Sequence, residues 1–197
     1  MAEPVQVAVQ SRRPVESVVV RPMSLGIQPT VEANRIAFSL TRPGPVIVEV
    51  NGPHHALHLF ASPPEKDAPA PDASGVRYFG PGVHRVGKID LKSGETVYIA
   101  GGAVVYGSLN AHGASGIRVA GRGILDVSPY PRGEGGGAVR LSDCSDVAVE
   151  GIVMRDPDVW CCSLFGCRNV AVANVKLVGL WRYNAEGIDV CNSQNVE

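Results

Sequence analysis

The feature that most constrains this chain is a register that holds over three stretches at once. When Asp146 is set over Asn169 and Asn195, Cys144 falls over Cys167 and Ser193, Leu141 over Leu164 and Val190, and Val139 over Cys162 and Ile188. Two apolar columns lie two residues apart, with the polar column Arg140, Ser163 and Asp189 between them. That is the alternation of a strand with one buried face. Because the same columns return in each stretch, the pattern predicts parallel strands stacked one per turn of a winding backbone. A looser recurrence extends it upstream. The triplets Val97-Tyr98-Ile99, Ile117-Arg118-Val119, Val147-Ala148-Val149 and Val170-Ala171-Val172, and then Val196, follow one another at roughly 20–30 residues, a solenoid period. The longest step contains the insertion Pro129-Tyr130-Pro131-Arg132-Gly133-Glu134-Gly135-Gly136-Gly137, expected on the rim, where binding clefts form.

The first third reads differently. Short β-type runs at Val18-Val19-Val20, Arg35 to Leu40, Val46 to Val50 and Ala56 to Phe60 are separated by turn-formers at 32–34, 42–45 and 51–53, which predicts a small antiparallel sandwich. The expected organisation is a flexible arm over 1–14, a sandwich over 15–61, a Pro/Ala-rich linker over 62–76 and a parallel β-helix over 77–197. The fold class is all-β: a small N-terminal β-sandwich followed by the first coils of a parallel β-helix.

Charge narrows the partners. Eighteen basic against 19 acidic residues leave a net charge of −1 with no basic stripe, so neither nucleic acid nor membrane is an expected partner. Residues 1–14 contain no apolar h-region, and the five cysteines are odd in number and confined to the C-terminal third. Both point to reduced thiols and a cytoplasmic protein. Cys144 and Cys167 lie one rung apart, within disulfide reach, but a ladder of buried thiols is the expectation preferred. His54 and His58 share one face of a strand while His55 lies opposite, too few convergent ligands for a structural metal. Gly133 to Gly137 lacks the lysine and following helix of a phosphate loop. No cofactor and no metal are expected.

Chemistry concentrates in 181–191, Trp-Arg-Tyr-Asn-Ala-Glu-Gly-Ile-Asp-Val-Cys. Carboxylates beside aromatic rings suit carbohydrate cleavage, with acids for proton transfer and ring faces for sugars. Glu186 and Asp189 are three residues apart and tend to face opposite sides of a strand unless Gly187 bends it. Trp160 falls one coil below Glu186, either as a sugar platform or packed on Phe165. Trp181 opens a new strand, so burial is expected for it. Asp156 and Asp158 flank Pro157, and turn chemistry accounts for them.

Residues 78–107, from Tyr-Phe-Gly-Pro-Gly-Val-His through Ser-Gly-Glu-Thr-Val-Tyr-Ile-Ala-Gly-Gly-Ala-Val-Val-Tyr-Gly, followed by Gly121-Arg122-Gly123-Ile124-Leu125, resemble the first coils of right-handed parallel β-helix glycoside hydrolases. The family meant is that of the polygalacturonases with their dextranase and isopullulanase relatives, and the resemblance covers roughly residues 30–197. His55-Ala56-Leu57-His58-Leu59-Phe60 resembles the end of the N-terminal sandwich found in bacterial members. The family signature Asn-Thr-Asp-Gly, an apolar residue, then Asp stands here as Asn184-Ala185-Glu186-Gly187-Ile188-Asp189. Threonine is thus replaced by Ala185 and the first aspartate by Glu186.

The resemblance implies inverting hydrolysis of a polysaccharide or oligosaccharide, in which one carboxylic acid protonates the glycosidic oxygen and a carboxylate activates water. It implies Glu186, Asp189 and Asn184 as catalytic residues, with Trp160, Tyr183 and Arg182 binding substrate. The family's paired aspartates belong to the next coil, so the sequence is expected to be the N-terminal portion of such an enzyme and nearly inactive alone. An uncovered last coil is expected to favour self-association. The alternative is a non-catalytic carbohydrate-binding solenoid that uses the rim aromatics without chemistry. A pectate lyase ranks last, since no acidic cluster suited to calcium is seen.

Overall fold

A computed structural model of the chain describes residues 4–54, 56–65 and 67–197. Internal contacts divide the chain after residue 65 into two compact units. In the first unit two three-stranded antiparallel sheets form. One runs Val5–Gln10, Arg35–Leu40, Thr30–Glu32; the other runs Val18–Arg21, Gly44–Val50, Leu57–Ala61. Val20, Ile36, Phe38, Leu40, Val46 and Val48 are its buried core.

The arm expected over 1–14 is corrected: Val5–Gln10 is a strand paired along Arg35–Leu40, from Val5 against Leu40 to Gln10 against Arg35. Its valines alternate with Gln6, Ala8 and Gln10, so one face presents Val7 and Val9 to the core. His55 lies outside the described residues.

The second unit is a parallel β-solenoid. One sheet stacks Val76–Phe79, Thr96–Ile99, Arg118–Gly121, Ser145–Glu150, Arg168–Ala173 and Gln194–Val196 in rising order. The other contains the long strand Ala103–His112, whose first half pairs with Ile124–Asp126 and whose second half pairs with Val139–Ser142. Beyond it this sheet continues as two stacks. Ile124–Asp126, Val153–Arg155 and Lys176–Val178 form one; Val139–Ser142, Cys162–Phe165 and Ile188–Cys191 form the other.

The three-stretch register holds in the fold: Val139 pairs with Cys162 and Cys162 with Ile188, while Leu141 pairs with Leu164 and Leu164 with Val190. The looser triplet recurrence needs one adjustment. Val97 pairs with Val119, not with Ile117, because the first step carries a two-residue offset. The interior is a continuous apolar column, fully closed at Val97, Val119, Leu125, Leu141, Leu164 and Met154. Close stacking sets a requirement at Gly121, whose φ is +127° and where a Cβ would fall 2.0 Å from the Ile99 carbonyl oxygen.

Cys144, Cys161, Cys162 and Cys167 are buried free thiols and Cys191 is exposed. Burial pushes Cys161 and Cys162 up to about 12, which keeps them protonated and unreactive near neutral pH.

Candidate active site

The division of the second sheet creates the site. In the first coil Ala103–His112 runs straight through, whereas later coils interrupt the same line with segments 127–138, 156–161 and 179–187. These three segments form an irregular corner of the solenoid. Directly after each, the strand resumes in strict register, so residues at the end of the corner are positioned by a rigid stack. Trp160 and Glu186 occupy that place in successive coils; the amide of Cys161 donates to the Glu186 carbonyl at 2.9 Å.

Glu186, Asn184 and Trp160 are brought together. Asn184 sits in the left-handed region with φ of 59°, a conformation asparagine tolerates. With its amide oriented so that donors meet acceptors, Nδ2 donates to Glu186 Oε1 at 3.2 Å and Oδ1 accepts from Trp160 Nε1 at 3.1 Å. The Trp160 ring also lies 5.8 Å from Phe165, and the Arg140 guanidinium stands 5.3 Å over Phe165. Of the two expectations for Trp160, the structure shows the packing on Phe165, and it adds an indole N–H that orients the site amide.

Asp189 follows in the strand, in the outward column beneath which Ser163 and Arg140 lie. Its Oδ2 is buried and lacks a hydrogen-bond partner. Burial, and secondarily the charge of Glu186, push its carboxyl above the usual aspartate range. The tendency of the two acids to face apart does not govern here: the strand begins at Ile188, so Glu186 precedes it and strand alternation does not bind the pair. The result is two carboxyls of unequal character, one exposed and amide-bonded, the other partly buried and inclined to hold its proton.

The insertion 129–137 is fastened at both ends. Asp158, fully buried, receives the amides of Gly135 and Gly137 at 2.7 and 2.8 Å and that of Gly136 at 3.2 Å. Turn chemistry does not describe this residue. Three consecutive glycines expose three backbone donors that need an acceptor, and that was the sequence signal for it. At the other end Arg182 donates to the carbonyls of Tyr130 and Ser128 at 2.7 and 3.1 Å, and Arg132 donates to the carbonyl of Tyr183 at 3.1 Å. Arg182, expected to bind substrate, thus spends its guanidinium on the loop.

Tyr183 is 83% exposed, with Arg132 5.1 Å over its ring. Trp181 corrects the expectation of burial: it is 73% exposed, because segment 179–187 is corner rather than strand. Asp126 is also buried and is paired with Arg155 at the base of the corner.

No protein-family model matches the chain, and no curated protein is detectably similar in sequence. Among solved structures, Dex49A, a dextranase from Penicillium minioluteum, superposes over 99% of the chain with a TM-score of 0.82 at 18% identity. The chain spans 50% of that protein's length. A protein described as a candidate glycosyl hydrolase from Parabacteroides merdae matches 62% of the chain and 77% of its own length, with a TM-score of 0.52 at 20% identity. The fold is a parallel β-helix of the kind seen in glycoside hydrolases.

Proposed function

We propose that the irregular corner is a glycan-binding groove carrying part of the acid machinery of an inverting polysaccharide hydrolase of the polygalacturonase type. The observation that carries this reading is the relay Trp160–Asn184–Glu186, with Asp189 three residues on and its buried Oδ2 unsatisfied. A carboxyl inclined to keep its proton suits donation to a glycosidic oxygen, and inversion pairs such a donor with a second carboxyl group that activates water. Inversion needs carboxyls ~6.5–9.5 Å apart, and coils stack at ~4.8 Å. An acid one coil beyond Asp189 and offset along its strand, where the resemblance puts the paired aspartates, can meet that spacing. Arg182 acts in this scheme by holding loop 129–137 against the site, and Trp160 and Tyr183 supply ring faces.

Glucan and galacturonan oligosaccharides are to be titrated calorimetrically into the 197-residue chain, with reducing-end release followed in parallel. The expected result is binding without appreciable turnover, weakened by Trp160→Ala and retained in Glu186→Gln. Absence of binding to either glycan class would overturn the proposal.

A purely binding role is favoured by one observation: Glu186, one methylene longer than the aspartate of the motif, has an oxygen committed to Asn184. Turnover that disappears in Glu186→Gln, in the chain itself or in a longer gene product containing it, decides against that reading.

A further inference from the structure

Two exposed rings flank the site, and they are held in place by different means. The Trp181 indole N–H donates to Asp156 Oδ1 at 3.1 Å, while the Arg182 guanidinium stands 5.4 Å over one ring face. Arg182 is itself anchored by the carbonyls of Tyr130 and Ser128. One edge and one face of the indole are therefore engaged, yet the residue remains 73% exposed, so an indole fixed in orientation offers its other face to solvent. A large apolar ring pinned by a hydrogen bond and left uncovered is preorganised for a flat, partly apolar ligand, which lowers the entropy lost on binding. Tyr183, whose backbone carbonyl and ring both meet Arg132, stands between Trp181 and the Asn184–Glu186 pair in the chain. Trp181 precedes Glu186 by five residues along the corner, and its own side-chain contacts, to Asp156 and Arg182, are separate from those that hold Asn184 to Glu186 and Trp160.

Resting on the glycan-binding reading above, we infer that Trp181 is an outer subsite of the groove, a stacking platform for a sugar ring remote from the reacting bond. Tyr183 serves the nearer position. The occupant is the distal part of a longer oligosaccharide, so the contribution of Trp181 depends on chain length. Asp156 is its positioning residue.

The test is calorimetric titration of the intact chain and two variants, Trp181→Ala and Asp156→Ala, with a graded series of glucan and galacturonan oligosaccharides from the disaccharide upward. Far-ultraviolet circular dichroism of each variant confirms folding, which exposure of the indole leads us to expect. Trp181→Ala should weaken long oligosaccharides by about tenfold, the scale of one aromatic contact, and leave the disaccharide unchanged. Asp156→Ala, which frees the indole without removing it, should cause a smaller loss confined to the same long ligands. Unchanged affinity at every length in Trp181→Ala, with the parent chain binding, would overturn the outer subsite alone. An equal loss at every length would do the same, by placing Trp181 in the inner site. No binding by the parent chain at any length would overturn the glycan reading and this inference with it.

Discussion

The solenoid has two corners of opposite construction within the same coils. Between Val139–Ser142 and Ser145–Glu150, and at the equivalent places in the next two coils, the turn is the same each time. Asp143, Gly166 and Asn192 all take left-handed φ, as do Asp146, Asn169 and Asn195 just beyond. Their side chains form a ladder: Asn169 Nδ2 donates to Asp146 Oδ1 at 2.9 Å, and Asn195 Nδ2 to Asn169 Oδ1 at 3.0 Å. At the other corner no two segments have the same length, and the bracing is done by a buried carboxylate and by arginines reaching backbone carbonyls across coils. The repeated turn pairs like with like from coil to coil, so its amides are spent on one another. The unrepeated corner is braced through side chain to backbone bonds instead, which leaves Glu186, Trp181 and Tyr183 exposed. Function in this fold is expected where the repeat is broken.

The largest effect that separates the two corners is expected at Asp158. Asp158→Asn removes the charge that three backbone donors share, and urea unfolding should show a loss of about 3 kcal/mol. Hydrogen exchange of 129–137 should rise while the ladder corner stays protected. Equal stability would mean that the corner is held by something else.

Next comes Asn169, in the middle of the ladder. Asn169→Ala removes two side-chain hydrogen bonds and places at a φ of 55° a residue that tolerates left-handed backbone less well than asparagine, for a loss of about 1–2 kcal/mol. Asn169→Gly breaks the same bonds without that strain, so it should lose less. If the order reverses, side-chain rather than backbone preference sets this corner.

The smallest effect is one of pH, and its sign differs between the corners. Asp189 has a raised folded value, so the folded state holds its proton more tightly than the unfolded chain. Stability from this group falls as pH rises from the ordinary carboxylate range, about 3.9, through the raised value. Asp146 has a lowered value, through the Asn169 and Ser145 hydrogen bonds. Its contribution is present above the ordinary range and is lost as pH falls through the lowered value. Thermal unfolding should therefore show Asp189→Asn gaining on the parent as pH rises above that range, and Asp146→Asn regaining ground on the parent as pH falls below it.

Much of this was legible in the residues, and the reasons differ by corner. Parallel stacking shows in sequence because interior columns such as Leu141, Leu164 and Val190 must repeat to be covered. Residues that brace the irregular corner were less legible, since the three glycines signal a buried acceptor without saying which residue supplies it. Asp158 reads as a turn acid beside Pro157, and its partners lie over twenty positions upstream. Arg182 reads as a free cation beside aromatic rings, yet its acceptors are backbone carbonyls, which no side-chain pattern records. Trp181 was misplaced for a related reason: a strand was expected where the corner continues, and the register that exposes such a break starts only at Ile188. The strand at Val5–Gln10 shows the reverse case, since its alternation is clear but its partner, Arg35–Leu40, comes much later.

The central claim, that glycan binds at the unrepeated corner, is tested most directly by hydrogen–deuterium exchange of the chain with and without a saturating long oligosaccharide. Protection is predicted in 128–137, 156–165 and 181–191, with exchange unaltered around Asp146, Asn169 and Asn195. Protection centred on the asparagine ladder, or a pattern identical with and without glycan, would contradict it.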